Sequence, residues 1–339
     1  MASCRAVGAF GIICELEVIS MSQPFSSARR AGLRALGAGV WGGVVVLPTP
    51  LWAAPPARLV ASFSIVADVC RELLPPEVEV ITLVSANADA HVFEPSAADG
   101  RRLAQADVVV INGLGFEGWM TRLIQVSGYK GLLVVAAGEE TPASATAPAH
   151  RHGAHDHGHA GPDPHIWQDL GLMRVAIGRI AAALIARWPA QAGAITQRRD
   201  AYLVRLSQLD QRVRAWLAQV PREQRRAITS HDAFGRFGAA YGVEFLAPQG
   251  WSTHSEPSAA AVGRLIRQIR QQRIRALFVE NISDRRLIQR IAQESGAQVG
   301  GTLYSDALSA PGGPADTYLR LFEHNARTIA QALGATVSP

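Results

Sequence analysis

Eight short and almost wholly apolar runs, separated by longer stretches of helical periodicity, constrain the fold of this chain more than any other feature. Four lie in the first half, at 58–66, 78–84, 107–113 and 131–138, and four in the second, at 225–230, 243–248, 275–281 and 297–305. Each is rich in β-branched residues and lacks a regular polar face. Strands of that kind are buried on both sides, so they belong to parallel sheets covered by helices. The segments between them supply the helices: 67–74 and 96–106 in the first series, and 233–242, 258–272 and 284–296 in the second. Two more helical patterns separate the series, 170–188 stopping before Pro189 and 201–220 stopping before Pro221. The expected fold class is α/β with two lobes, each a parallel sheet flanked by helices, joined by a long helical connector. The lobes are expected at 57–168 and 190–337, with the connecting helix over 169–189.

Composition supports a folded chain and removes some function classes. Apolar residues make up 48% and charged residues only 18%, enough to fill a core. The net charge of +5 comes from arginines scattered among acids, and Lys130 is the lone lysine. No block of like charge or interleaved aromatics marks a nucleic-acid surface, so no nucleic acid is expected as a partner. Arg29, Arg30 and Arg34 precede the apolar run 35–47 and the small-residue exit LWAAPPA. That order reads as a secretory signal peptide over 1–53, with Met21 as an alternative start. Its removal takes Cys4 and Cys14 with it, leaving Cys70, which is expected buried on a helix, so no disulfide framework holds the exported chain.

The stretch HRHGAHDHGHAGPDPHIWQDL, 150–170, holds six of the ten histidines. Its low-complexity surroundings, 140–162, have no core-forming face and read as a surface loop. His150, His152, His155, His157 and His159, with Asp156, are expected to bind metal weakly as an accessory loop. His165, fixed behind Pro164, is a different matter, because three further candidates stand where strands end. His91 follows the second strand, His231 directly follows 225–230, and Asp306 follows 297–305. Sites in open parallel sheets form beyond the carboxyl ends of strands. Three imidazoles and one carboxylate suit a borderline cation such as Zn²⁺, and four protein ligands leave no open position for a reacting water. Taken singly, each residue has an ordinary structural reading: a hydrogen-bonded core histidine for His91 or His231, a helix N-cap for Asp306.

The longer motifs are specific. DAHVFEPSAADGRRLAQADVVVINGLGFEGWM, DPHIWQD, TSHDAFGRFGAAYGV with QGWSTHSEPS, and FVEN followed by LYSDALS resemble the solute-binding proteins of zinc/manganese ABC importers, in the right order over about 57–337. That resemblance implies two (β/α) lobes joined by a rigid helix and one metal buried between them. Carried over residue by residue, the family's ligands fall on His91, His165, His231 and Asp306. It further implies a periplasmic receptor, not an enzyme, that hands its metal to a membrane permease, with a monomer expected. Manganese-type members carry a carboxylate at the third ligand position, where this chain has His231; a nitrogen-rich set favours Zn²⁺ over Mn²⁺. Glu280 reads as the carboxylate that orients a ligating histidine, or as an alternative ligand. His254 and His324 read as surface residues, and Trp167 and Trp251 as walls of the site. A manganese receptor of the same family, a zinc-dependent hydrolase and an adhesin-like surface protein are the competing expectations.

Overall fold

In the computed structural model, which describes residues 56–138 and 162–337, β1 (Arg58–Phe63) runs without a turn into α1 (Ser64–Leu73). The expected signal peptide (1–53) and the histidines at 150, 152, 155, 157 and 159 lie outside the described residues. The first half continues with β2 (Glu79–Val84), α2 (Ala97–Ala104), β3 (Val108–Ile111), α3 (Met120–Ser127) and β4 (Leu132–Val135). The helices α4 (Leu170–Arg187) and α5 (Ala192–Ala218) follow. The second half holds β5 (Arg226–Ile228), α6 (Gly235–Tyr241), β6 (Glu244–Leu246), α7 (Ala259–Gln272), β7 (Ala276–Glu280), α8 (Arg285–Ser295), β8 (Gln298–Leu303) and α9 (Tyr318–Ala332).

The strands form two four-stranded sheets ordered β2-β1-β3-β4 and β6-β5-β7-β8, with every neighbouring pair parallel. The second half therefore repeats the order of the first. In each, the order reverses beside the first strand of the half, which opens a crevice at the carboxyl end of the sheet. Burial follows position: β1 and β3 are enclosed, whereas β4 and β8 begin exposed because they are sheet edges. A bulge in the β7–β8 pairing between Leu277 and Phe278 redirects the end of β8. Gly300 makes room for it, since a Cβ there would come within 2.9 Å of Phe278 and Ala332.

One apolar core runs through both halves, from Phe63 and Trp167 through Leu206 to Phe237, Tyr318 and Phe322. Smaller clusters fill the outer faces, one around Leu103, Val109 and Leu123 and another around Ile228, Ile266 and Ile288. Truncating a fully buried leucine such as Leu206 should cost about 2–5 kcal/mol. Cys70 is buried, as the sequence suggested. α4 occupies most of 169–189, capped by Asp169, and packs on β4 and α5. α5, the longest helix described, touches α1 of the first half and both α6 and α9 of the second. No described helix is long and apolar enough to cross a membrane.

The periodicity reading passed over two helices. α3 is only 8 residues long, begins on Trp119 with no side-chain cap, and ends at left-handed Gly128. α9 carried a clearer signal, an N-cap at Thr317 followed by apolar residues at Leu321, Phe322, Ala326 and Ile329, all buried.

Candidate metal centre

All four candidate ligands stand at the carboxyl ends of the sheets, and each is held by its backbone. His91 lies on the loop after β2, where its amide donates to Asp89 Oδ1 at 2.8 Å. The carbonyl of the intervening Ala90 accepts from Trp119 Nε1 at 2.8 Å. His165 repeats that turn: its amide donates to Asp163 Oδ1 at 2.9 Å, and its ring Nδ1 lies 2.7 Å from the same oxygen. Behind it, the Pro164 carbonyl accepts from Asn112 Nδ2 at 2.9 Å. Asn112 is itself set by buried Glu117, which also accepts from Ser62 Oγ.

His231 follows β5, and its amide and that of Ser230 both donate to Glu280 Oε1, at 2.9 and 2.6 Å. The other Glu280 oxygen lies 2.5 Å from His231 Nδ1. Asp306 follows β8, and the carbonyl of the preceding Ser305 accepts from Trp167 Nε1 and Gln168 Nε2, at 2.6 and 2.9 Å. With Nδ1 of His165 and of His231 facing carboxylates, the Nε2 atoms are left as the free ends of the rings.

Those free ends meet. One ligand atom from each of His91, His165, His231 and Asp306 lies within 4.8 Å of all the others. The Nε2 atoms of His91, His165 and His231 stand 3.2, 3.7 and 3.1 Å from Asp306 oxygens. Tetrahedral bonds of about 2.0–2.2 Å would set donor atoms roughly 3.3–3.6 Å apart, so the cluster already has the dimensions of a coordination shell. His91 is 5% exposed and the other three are fully buried. His91 Nε2, His165 Nε2 and Asp306 Oδ1 have no hydrogen-bond partner among the described residues. Orphaned buried polar atoms cost about 1–3 kcal/mol each, and one cation would satisfy all three. Phe116 packs edge-on to His91 at 4.6 Å, and Trp167 stands 5.2 Å from the His165 ring, so aromatic walls keep the site dry.

Electrostatics divide unevenly. Burial alone would keep His231 neutral, but the Glu280 and Asp306 carboxylates outweigh it and hold its pKa well above the usual imidazole value. Burial would likewise raise Asp306, and the imidazoles of His231 and His165 reverse that, holding its carboxyl far below the ordinary range.

The structure thus brings His91, His165, His231 and Asp306 together and places Glu280 against His231, outside the converging atoms. Trp167 is buried beside the cluster and Trp251 is half-buried. His254 is exposed; His324, expected on the surface, is half-buried, its Nε2 3.0 Å from the Thr302 carbonyl and its ring against Tyr304. Sequence reasoning missed Asp89 and Asp163. The signal was present as a repeated Asp-x-His, at Asp89-Ala90-His91 and Asp163-Pro164-His165.

Residues 59–332 match the family described as the periplasmic zinc-uptake complex component A, ZnuA. The chain is 32% identical to the manganese-binding lipoprotein MntA of Bacillus subtilis over 281 residues, covering 81% of this chain and 89% of that one. It is also 32% identical to the zinc-binding protein TroA of Treponema pallidum, covering 81% and 88%. The iron-binding protein YfeA of Yersinia pestis is 29% identical, covering 82% and 86%. The solved structure of the Treponema protein superposes with a TM-score of 0.75 at 30% identity, covering 82% of this chain and 99% of that one.

Proposed function

We propose that this chain, which belongs to the ZnuA family of periplasmic zinc-uptake components, captures Zn²⁺ between its lobes and delivers it to the permease of an ABC importer. As a member of that family it is a metal-binding receptor of an ABC importer that works outside the cytoplasm, and it is not an enzyme. The choice of zinc, the four ligands and the route of export are our reading. His91, His165, His231 and Asp306 are the ligands, and Glu280 orients His231 from behind. A single observation carries this: three buried histidine Nε2 atoms converge on one buried carboxylate, with His91 Nε2, His165 Nε2 and Asp306 Oδ1 lacking a hydrogen-bond partner among the described residues.

The relatives bind zinc, manganese or iron by name, so donor chemistry supports the choice. Three nitrogens and one oxygen favour Zn²⁺, whereas Mn²⁺ prefers oxygen-rich sets and lies lowest in the divalent affinity order. Delivery needs only binding and release: closed lobes assemble the shell, and docking on the permease separates ligands contributed by the two halves. The signal peptide over 1–53 directs export to the periplasm, where the chain acts as a monomer. The histidines at 150, 152, 155, 157 and 159 gather metal weakly.

Metal analysis of the purified exported chain tests the reading. One tightly held zinc per chain, undisplaced by equimolar Mn²⁺, is expected. Quantitative displacement by equimolar Mn²⁺ would overturn the metal, and catalytic turnover of a hydrolysable substrate would overturn the receptor.

A further inference from the structure

The two ligands of the first lobe share a device, and the second lobe touches both copies of it. In Asp89-Ala90-His91 and Asp163-Pro164-His165, the aspartate Oδ1 accepts the histidine amide two residues on, at 2.8 and 2.9 Å. These short turns fix where each imidazole starts. Each aspartate is then gripped from across the cleft. Thr253, on the loop between β6 and α7, donates its hydroxyl to Asp89 Oδ2 at 2.5 Å. Arg236, in α6 and nearly buried, donates Nε to the Asp163 carbonyl at 2.9 Å, and its Nη2 bonds the same oxygen. Neither Thr253 nor Arg236 belongs to the converging ligand set.

The geometry points to Thr253 and Arg236 as positioning residues that tie lobe closure to the placement of His91 and His165, and so set how long the metal is retained. This inference rests on the ligand set proposed above. With both bonds made, the Asp-x-His turns are clamped and the first-lobe imidazoles stay on the ion. When the second lobe moves away, both clamps are lost together, and the turns regain freedom as the ion must leave. Thr253 is the more telling of the two, because it sits on a half-exposed loop and its hydroxyl reaches the first lobe through Asp89.

The test is the rate at which chain loaded with one equivalent of Zn²⁺ yields it to excess chromogenic chelator in stopped flow. Thr253→Val keeps the side-chain shape without the donor and should release zinc about tenfold faster, the worth of one well-placed hydrogen bond. Thr253→Ser should restore the parental rate. In an Asp89→Ala background, Thr253→Val should add nothing, because the hydroxyl acts through that carboxylate. Arg236→Met should also release faster; since its loss threatens folding, the metal-free melting transition is recorded for every variant and the Thr253 arm decides. A Thr253→Val rate equal to the parent, or a Thr253→Ser rate as fast as Thr253→Val, overturns the inference. Failure of the underlying reading looks different: the parent itself would then hold no stoichiometric zinc.

Discussion

The two lobes build their halves of the site by different means. The first sets His91 and His165 on aspartate-anchored turns and packs their rings against Phe116 and Trp167. The second sets His231 and Asp306 at strand ends and surrounds them with charge, Glu280 lying 2.5 Å from one imidazole nitrogen and Asp306 3.1 Å from the other. One half is placed by packing and backbone; the other is held by buried ions. Removing His91 leaves Glu280 and Asp306 still paired with His231, whereas removing His231 takes the imidazole away from both carboxylates at once. A buried ion pair is costly to break from one side, because the surviving partner stays desolvated.

The largest expected effect separates the lobes directly. His231→Ala should abolish tight zinc and also destabilise the metal-free chain by about 3–5 kcal/mol, since Glu280 and Asp306 lose the imidazole between them. His91→Ala should weaken zinc binding comparably but leave the metal-free melting transition close to the parent's. Calorimetric zinc titrations with thermal melts of the metal-free forms check both. Equal melting of the two variants would break the distinction.

A second effect comes from an acid of the first lobe that faces the second. Asp68 in α1 accepts from the Tyr318 amide at the start of α9, at 2.8 Å. Burial raises its pKa from 3.8 to about 6, against the lowering effect of that hydrogen bond. The sign follows from linkage: between these values the folded chain binds the proton that the unfolded chain has released, so stability falls as pH rises from about 4 to 6. The penalty, fully present above pH 6, is on the order of 3 kcal/mol at most. Asp68→Asn keeps an acceptor for Tyr318 and should flatten that slope in denaturant melts. An unchanged slope would show that this seam carries no buried charge.

Much of this arrangement was legible in the sequence. Apolar strands without a polar face announced two parallel sheets, and candidate ligands at strand ends could be named because each strand's last residue is visible in the apolar run. The positions of His231 and Asp306 were therefore readable. What was not readable depends on contacts between distant segments. Ser305 receives Trp167, and Asp89 receives Thr253, across separations that no periodicity encodes. α3 was missed because it is only 8 residues long and starts without a side-chain cap; it stands by packing Met120 and Leu123 under the first sheet.

Glu280→Gln sharpens the electrostatic half of the comparison. The amide keeps the size and an acceptor for the Ser230 and His231 amides but removes the charge behind the ring. Loss of such a partner typically costs tenfold to about a hundredfold in metal affinity. The pH profile distinguishes this from a structural lesion. In the parent, Glu280 and Asp306 hold the His231 pKa well above its usual value, so protons compete with zinc even above neutrality and affinity should still climb between pH 7 and 8. In Glu280→Gln, His231 gives up its proton at lower pH. The deficit in affinity should therefore be greatest near pH 8 and narrow towards pH 6. A constant deficit across that range would mean that Glu280 acts only through packing.

The smallest effect is expected where none of the converging residues is touched. Deleting 150–159 removes five histidines but leaves His165 and the Asp163 turn that holds it. The four converging ligand atoms and their carboxylate partners all come from other residues, so affinity for the first zinc should change by less than about twofold, within the scatter of independent sites. We expect the deleted imidazoles, which lie in a low-complexity stretch, to bind further ions only weakly. Calorimetry on both forms should show one tight zinc in each, with extra weak ions in the parent alone. If the deletion loses the tight ion, a histidine of 150–159 supplies a primary ligand, and His165 is the assignment that fails.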